Sequence, residues 1–220
     1  KLLRSPHPHA KIRNIDASRA LAMPGVKAVV TAADLPDVSA AMVDQEEGIA
    51  VNYGFYSRNV MAREKALYKG HVVAAVAANS PHVAEEALAL IDVDYEVLTP
   101  VLNADDAMRD GAPLLHERLV TQASPGARAG GYGQPGETKG SNIANHFEFR
   151  AGDLEQGFKD ADVVVEREFH TKPVHQGYSE PHSATAQWNA DDTVTIWASS
   201  QGHFALRDHT SAILGIDVSK

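Results

Sequence analysis

Residues 4–36, RSPHPHAKIRNIDASRALAMPGVKAVVTAADLP, form the most informative stretch of this 220-residue chain. Their pattern predicts a strand, a short helix over residues 17–23 and a second strand over residues 26–31, in that order. Asp16 can cap the helix, and Pro24 with Gly25 would end it. The chain therefore opens with alternating strand and helix, which predicts a fold of mixed α and β structure.

A second strand–helix–strand unit is predicted over residues 69–98. Residues 71–78 are a continuous apolar run, which is typical of a strand covered on both faces. Ser80 can cap the following helix, with Pro81 at its first position. A further short helix over residues 103–110 is expected to end before Gly111.

Two stretches lack a clear periodicity. Residues 37–65 predict a long irregular excursion. Residues 124–142 are rich in glycine and proline, which is typical of a linker. We therefore expect a first domain over residues 1–123 and a second over residues 143–220, with the linker between them.

The second half predicts another set of short elements. The pattern indicates strands at 146–150 and 163–170, a capped helix from Asp153, a hairpin of residues 183–188 with 193–197, and a helix over 204–214 that ends at Gly215.

Composition excludes several classes of function. The net charge of −9 argues against a nucleic-acid partner or an anionic membrane surface. The chain has no cysteine, and therefore no disulfide, thiolate metal site or iron–sulfur ligand of its own. No apolar run approaches the roughly 20 residues that a membrane-spanning helix needs. We expect no nucleic-acid partner and no membrane partner.

Several possible sites have simpler explanations. The glycines of 126–133 have no strand before them and no helix after them, so a linker is favoured over a phosphate-binding loop. His7 and His9 would share a strand face, which can suit a metal, but no third ligand lies nearby. His170, His175 and His182 follow no usual zinc spacing, and in both groups hydrogen-bonded or solvated histidines are favoured. Glu166 and Glu168 fit a solvated strand face, and no G-x-S-x-G motif is present. We expect no metal site.

Gln201 occupies a position that favours ligand contact. It lies where the predicted strand 193–197 gives way to the last helix, and free backbone N–H groups point outward at such junctions. Its carboxamide would add one donor group and one acceptor. The alternative, which the residue pattern alone favours, is that Gln201 caps the helix or satisfies a loop carbonyl.

Four blocks, in this order, resemble the molybdenum-binding subunit of the xanthine dehydrogenase, aldehyde oxidase and carbon monoxide dehydrogenase family. Residues 4–36 resemble the start of its hammerhead domain, and 70–108 resemble the second half, with His71 where glutamine is commoner. Residues 152–169 resemble the start of the first molybdopterin-binding domain. The fourth block holds an H-x4-E-P element (His175, Glu180, Pro181) and the pair Ser200-Gln201.

The resemblance implies an α+β fold, in which a hammerhead domain precedes part of a molybdopterin-binding domain. It implies that Gln201 lies beside an oxo group of the molybdenum, with His175 and Glu180 in a supporting shell. The family's general base lies beyond Lys220, so we expect no catalytic residue within this chain. Because such subunits are several times longer, we expect a fragment that is inactive alone.

The resemblance further implies a cytoplasmic hydroxylase that oxidises an aldehyde, heteroaromatic or similar carbon, with water as the oxygen source. The complete subunit would hold molybdopterin, whereas no cofactor is expected on this fragment. Electrons would pass to 2Fe-2S clusters and FAD on partner subunits or domains. The expected partners are the rest of the molybdenum subunit, an iron–sulfur subunit, an FAD subunit and a small-molecule substrate.

Two other classes remain open from the sequence. The chain fits a natural assembly module that docks on a separately encoded catalytic partner. It also fits a small-molecule binding domain without catalysis.

Overall fold

The computed structural model describes residues 1–38, 42–45, 49–117, 119–120, 122–123, 131–132, 140–143, 145–146 and 151–220. The first part contains β1 (Leu2–Arg4), β2 (Ala10–Asp16), α1 (Ser18–Leu21), β3 (Val26–Thr31), β4 (Met42–Gln45), β5 (Ile49–Asn52), α2 (Tyr53–Val60), β6 (Lys65–Ala66), β7 (Val72–Ala78), α3 (Pro81–Leu88), β8 (Asp92–Val97) and α4 (Ala104–Met108).

The later part contains β9 (Leu119–Val120), β10 (Gln122–Ala123), β11 (Gly131–Tyr132), β12 (Asn145–His146), α5 (Leu154–Asp160), β13 (Ala184–Trp188), β14 (Val194–Ala198) and α6 (His203–Leu214). None of the helices within the described ranges has the length and apolar character needed to cross a membrane. The mixture of helices and strands confirms the predicted α+β class.

Two three-stranded antiparallel sheets organise the first part. One has the order β1–β7–β3, and the other has the order β6–β2–β8. The predicted unit over 69–98 therefore has the expected three elements, but β7 and β8 belong to different sheets. Both edges of β7 are already paired with β1 and β3, so β8 pairs with β2 instead. Antiparallel pairing with distant strands is not visible in local periodicity.

The largest core cluster lies where α3 packs on β7. Ala74 and Val76 of the strand contact Ala84 and Ala87 of the helix, together with Ala20 from α1. Val73 and Ala74 are both fully buried although they point to opposite faces of β7, which confirms that this strand is covered on both sides. Small side chains on α3 let its backbone approach the sheet closely.

Local capping explains where several helices begin and end. The Ser80 hydroxyl accepts the Val83 N–H at 3.2 Å, with Pro81 at the first helical position, as predicted for α3. Asp153 caps α5 by accepting the Gln156 N–H at 2.9 Å. At the end of α6, Gly215 adopts a left-handed conformation with φ +66°, which confirms the predicted stop.

The first predicted helix is shorter than expected. It spans Ser18–Leu21 rather than residues 17–23. Its end is closed by a bond to the carbonyl three residues back, from the Met23 N–H to Ala20 O at 3.2 Å, and not by the four-residue spacing of an α-helix. Asp16 does accept the Ser18 N–H at 2.9 Å, but Ala17 is the residue that precedes the first turn. The start of the helix was therefore predicted to within one residue, whereas its length was overestimated.

Two other expectations for secondary structure were wrong. The described part of residues 37–65 is not irregular, because it contains the paired strands β4 and β5, the helix α2 and the start of β6. Conversely, the predicted strand at 163–170 is absent from the structure, and Val163, Val165 and Phe169 are exposed there. A strand needs a neighbour for its backbone hydrogen bonds, and no described strand pairs with this segment.

The hairpin and the end of the predicted linker are well defined. β13 and β14 pair antiparallel from Ala184 with Ala198 to Trp188 with Val194, as predicted. Within 140–143, the Asn142 amide donates to Ala107 O at 3.1 Å and to Pro113 O at 2.9 Å. The Asn142 side chain thus anchors this end of the linker to the first part of the chain. Of the predicted strand 146–150, residues 147–150 lie outside the described residues.

Candidate functional site

The loop that holds Gln201 joins β14 to α6. The Ser200 hydroxyl accepts the Gly202 N–H at 3.1 Å, and Gly202 is the residue that precedes the helix. Gln201 itself is exposed, and within the described part of the chain its carboxamide makes no hydrogen bond. Gln201 therefore does not cap α6, and its amide is directed by no other group of the described structure.

The H-x4-E-P block is brought to the same loop by a backbone contact. The Ser199 hydroxyl donates to Pro181 O at 3.3 Å, and the Ser199 N–H donates to Ser183 O at 3.2 Å. Ser199 precedes Gln201 by two residues, so residues 180–181 and the Gln201 loop are neighbours. Residues 18 positions apart in the sequence thus meet at one end of the hairpin.

A histidine and tyrosine cluster lies within this block. The His175 Nδ1 accepts the Gly177 N–H at 2.9 Å, which orients its ring. Tyr178 stacks on His182 with ring centroids 4.9 Å apart and lies 5.3 Å from the His175 ring. Glu180 is exposed and has no hydrogen bond or ion pair in the described structure. These groups offer polar contacts near the loop, and within the described structure none of them is hydrogen-bonded to the Gln201 side chain.

Helix α6 rests on α2 of the first part through aromatic rings. His209 stacks on Tyr56 with centroids 5.4 Å apart and meets Tyr53 edge-on at 5.6 Å. This contact was not predicted, because residues 53–60 were expected to be irregular. It holds the helix that begins directly after the Gln201 loop.

A small cavity separates the hairpin from α6. It has a volume of about 250 Å³ and is lined by apolar side chains such as Val194, Ile196 and Leu206, with Ser200 and His203 among its polar groups. Gln201 does not line this cavity. The cavity therefore belongs to the packing of α6 on the hairpin and not to the surface that Gln201 presents.

The histidines that sequence spacing marked as weak metal candidates have other roles. His7 meets the Tyr95 ring edge-on at 5.1 Å, whereas the His9 Nδ1 donates to Thr99 O at 2.8 Å. His170 pairs with Glu168 at 3.0 Å on an exposed segment. Across the described ranges, no cluster of three or more potential ligands is arranged to hold a metal ion.

His71 is the residue whose role the sequence concealed. It is fully buried, its Nδ1 accepts the Leu67 N–H at 3.2 Å, and its Nε2 donates to Arg58 O at 3.0 Å. Burial lowers the pKa of His71 because the imidazolium would lose its hydration, and the Arg58 carbonyl offsets this only in part. His71 therefore fastens the end of α2 to β6 and β7 as a neutral ring. Only its place at the start of a buried strand hinted at this.

Comparison with known proteins gives matches along most of the chain. The family model for the aldehyde oxidase and xanthine dehydrogenase a/b hammerhead domain matches residues 1–99, and that for the molybdopterin cofactor-binding domain matches residues 136–220. The probable hypoxanthine oxidase XdhD of Escherichia coli K12 is 35% identical over all of this chain and 24% of its own length. The carbon monoxide dehydrogenase large chain of Afipia carboxidovorans is 32% identical over 99% of this chain and 25% of its own.

Solved structures agree with these sequence matches. Carbon monoxide dehydrogenase from Oligotropha carboxidovorans aligns with a TM-score of 0.73 at 31% identity, over all of this chain and 26% of that one. The aldehyde oxidoreductase of Desulfovibrio gigas aligns with a TM-score of 0.72 at 24% identity, over all of this chain and 22% of that one, and so supports the fold alone. The chain spans about a quarter of the length of most of the curated relatives it matches, with shares from 13% to 44% among them.

Proposed function

Because the chain belongs to the aldehyde oxidase and xanthine dehydrogenase family, we propose that it forms part of a molybdenum hydroxylase subunit and that Gln201 contacts the molybdenum cofactor. The observation that carries this proposal is the exposed Gln201 carboxamide at the β14–α6 junction, which makes no hydrogen bond to any described residue. The junction lies within the region that matches the molybdopterin cofactor-binding domain.

The residues around the loop fit such a cofactor. Its oxygen-rich groups need hydrogen-bond donors, and a primary amide supplies two N–H donors and one acceptor. The Ser200 hydroxyl and the Ser199–Pro181 contact hold the loop, so its backbone would lose little freedom when the Gln201 amide binds. When bound, the molybdenum cofactor supplies the two-electron oxidation of a carbon atom, with water as the oxygen source.

His175 and Glu180 are proposed as supporting residues. Pro181, which follows Glu180, accepts a hydrogen bond from Ser199 beside the loop. The His175 ring is oriented by the Gly177 N–H. We propose that both side chains help to position the Gln201 loop or the cofactor edge and do not react with a substrate.

The proposed reaction is the oxidation of an aldehyde, heteroaromatic or similar carbon. The relatives carry names that specify different substrates, among them hypoxanthine, carbon monoxide and nicotinate. That diversity supports the class of reaction and leaves the substrate open. Names such as "large chain" and "subunit gamma" support partner subunits for this protein too, and we propose that 2Fe-2S and FAD partners accept the electrons.

Replacement of Gln201 tests this function in the complete enzyme that carries the chain. Loss of one donor aimed at developing charge in a water-poor site lowers turnover by about 10²–10³-fold, so Gln201→Ala is expected to show a fall of that order. Turnover and molybdenum content are measured together. Gln187→Ala is the matched control, because Gln187 is an exposed glutamine on β13 of the same hairpin.

Two further outcomes bear on the proposal. Glu180→Gln is expected to lower turnover less than Gln201→Ala, because Glu180 is proposed only as a supporting residue on the segment next to the loop. If Gln201→Ala keeps wild-type turnover with full molybdenum occupancy, Gln201 does not contact the cofactor and the proposal fails. Wild-type turnover in Gln201→Ala is also the result expected if the chain serves only as an assembly module for a separate catalytic partner.

A further inference from the structure

A second cavity lies in the first part of the chain, apart from the Gln201 loop. It has a volume of about 330 Å³, which falls in the range of small-molecule sites. Residues from β2, the end of α2, the loop before β6, β6 itself and the segment after α4 line it. None of the residues discussed for cofactor contact is among them.

Positive charge predominates in the lining of this cavity. Two acidic side chains, Glu64 and Glu117, face four permanently cationic ones, which are Lys11, Arg58, Arg63 and Lys65. The Lys65 side chain is only 11% exposed and that of Arg58 only 22%. Cations withdrawn from water to this degree need nearby anions, because they have lost much of their hydration.

The existing partners compensate these cations unequally. Lys65 has a close carboxylate, Glu117, at 2.7 Å. Within the described part of the chain, the one carboxylate in contact with Arg58 is that of Asp37, at 3.7 Å, and the Asp37 side chain is 77% exposed. Arg63 donates to two backbone carbonyls, Leu35 O and Pro36 O, both at 3.1 Å. Lys11 has a carboxylate partner in Glu96 at 3.7 Å, so Arg63 is the cation of the lining that contacts carbonyls and no carboxylate within the described structure, and Arg58 is the one whose carboxylate partner is most exposed.

The pKa of His116, which also lines this cavity, is shifted by the same charged side chains. Its pKa is lowered first by burial and then by the positive charge of Lys65, with Glu117 pulling in the opposite direction and Arg58 lowering it further. The His116 ring also packs against Phe55 at 5.3 Å, so it forms a neutral, aromatic part of the wall. Leu67 and Leu115 add apolar surface beside it.

We propose that this cavity binds a small organic carboxylate, whose anionic group pairs with Arg58 and Arg63 and whose apolar body contacts Leu67 and Leu115. A guanidinium is a planar fork that matches a carboxylate with two parallel hydrogen bonds. Carboxylate bonds of this kind are strong where water is scarce. The site is separate from the proposed cofactor contact and does not depend on it.

Calorimetric titration of the chain with benzoate tests the proposal. Benzamide is the matched neutral ligand, and inorganic phosphate tests whether an apolar body matters. Benzoate is expected to bind at least tenfold more tightly than benzamide or phosphate, and its binding should weaken as salt concentration rises. Equal binding of benzamide, or binding of phosphate as tight as that of benzoate, would overturn the assignment.

Variants locate the binding within the cavity. Arg58→Gln and Arg63→Gln each remove one of the two guanidinium groups proposed to pair with the carboxylate and are expected to weaken benzoate binding at least tenfold. Lys27→Gln removes one charge from the exposed surface of β3 and should leave it unchanged. Circular dichroism confirms that each variant is folded. Unaltered binding in both lining variants, or no binding to the unmodified chain, would refute the site.

Discussion

At the scale of the residue, His71 shows how one buried side chain ties three elements together. Both ring nitrogens are engaged, with the Leu67 N–H on one side and the Arg58 carbonyl on the other. The Tyr68 ring stacks on it at 4.4 Å. A protonated ring would turn the accepting nitrogen into a second donor facing the Leu67 N–H. The structure therefore favours the neutral form of His71 on geometric grounds as well as through burial.

The stability of the chain should fall in mild acid because of His71. Its pKa is lowered in the folded state, so the unfolded state binds more protons below about pH 6.5 and folding stability is lost as pH falls through that range. Urea unfolding at several pH values measures this slope. His71→Gln should flatten it, whereas His82→Gln, on the exposed face of α3, should not.

Truncation of the same side chain should be costly. His71→Ala leaves a cavity and two buried backbone groups without their partner, so the free energy of unfolding should fall by about 2–4 kcal/mol at pH 7.5. His82→Ala again serves as the control. A change below about 0.5 kcal/mol for His71→Ala would contradict the role assigned to these two hydrogen bonds.

At the scale of the element, α2 and α6 form the contact that links the two parts of the chain. The His209 ring lies against Tyr53 and Tyr56, and Gly215 at the end of α6 approaches Pro36. Helix α6 has no buried residue of its own. Its stability therefore depends on this ring contact and on its packing over the hairpin.

Loss of the His209 ring should loosen α6 selectively. His209→Ala is expected to speed amide hydrogen exchange of residues 203–214 at least fivefold, while exchange in α3 stays unchanged. Arg207→Ala is the control, since this exposed residue of the same helix only pairs with its neighbour Asp208 and covers Phe204. Equal acceleration in both variants would mean that the ring contact with α2 does not hold the helix.

At the scale of the whole molecule, burial is distributed very unevenly. Every buried apolar residue within the described structure lies between Ala10 and Ile91, whereas none of residues 151–220 is buried. Apolar side chains at Val163, Val165 and Phe169 face outward. The first part has a core of its own, and the second has a hairpin and a helix that rest on it.

Limited digestion with proteinase K, which cuts after many residue types, should reflect this difference. Residues 71–98 hold the core and should resist cleavage, while the glycine-rich stretch 124–139 or residues within 161–183 should be cut first. Residues 140–143 are not expected to be cut early, because Asn142 anchors them through three hydrogen bonds. Mass spectrometry identifies the cuts. Early cuts within 71–98 would contradict an independently folded first part.

The sequence by itself determined the features that depend on a few neighbouring residues. The Ser80-Pro81 start of α3, the Asp153 cap of α5, the β13–β14 hairpin and the Gly215 stop were all predicted within one or two residues. Each depends on hydrogen bonds or backbone angles among residues that lie within about four positions of one another at a cap or a turn, so the local sequence specifies it. The location of Gln201 at a strand–helix junction followed from the same local signals.

Tertiary structure alone decided what depends on distant partners. Periodicity did not reveal that β7 pairs with β1 and β3 while β8 pairs with β2, nor that residues 53–60 form a helix against α6. The apolar run at 163–170 favours a strand in isolation and forms none here, because a strand exists only where another backbone accepts its hydrogen bonds. For the same reason the contact of Ser199 with Pro181, which brings two separate sequence blocks to one loop, is a property of the folded chain.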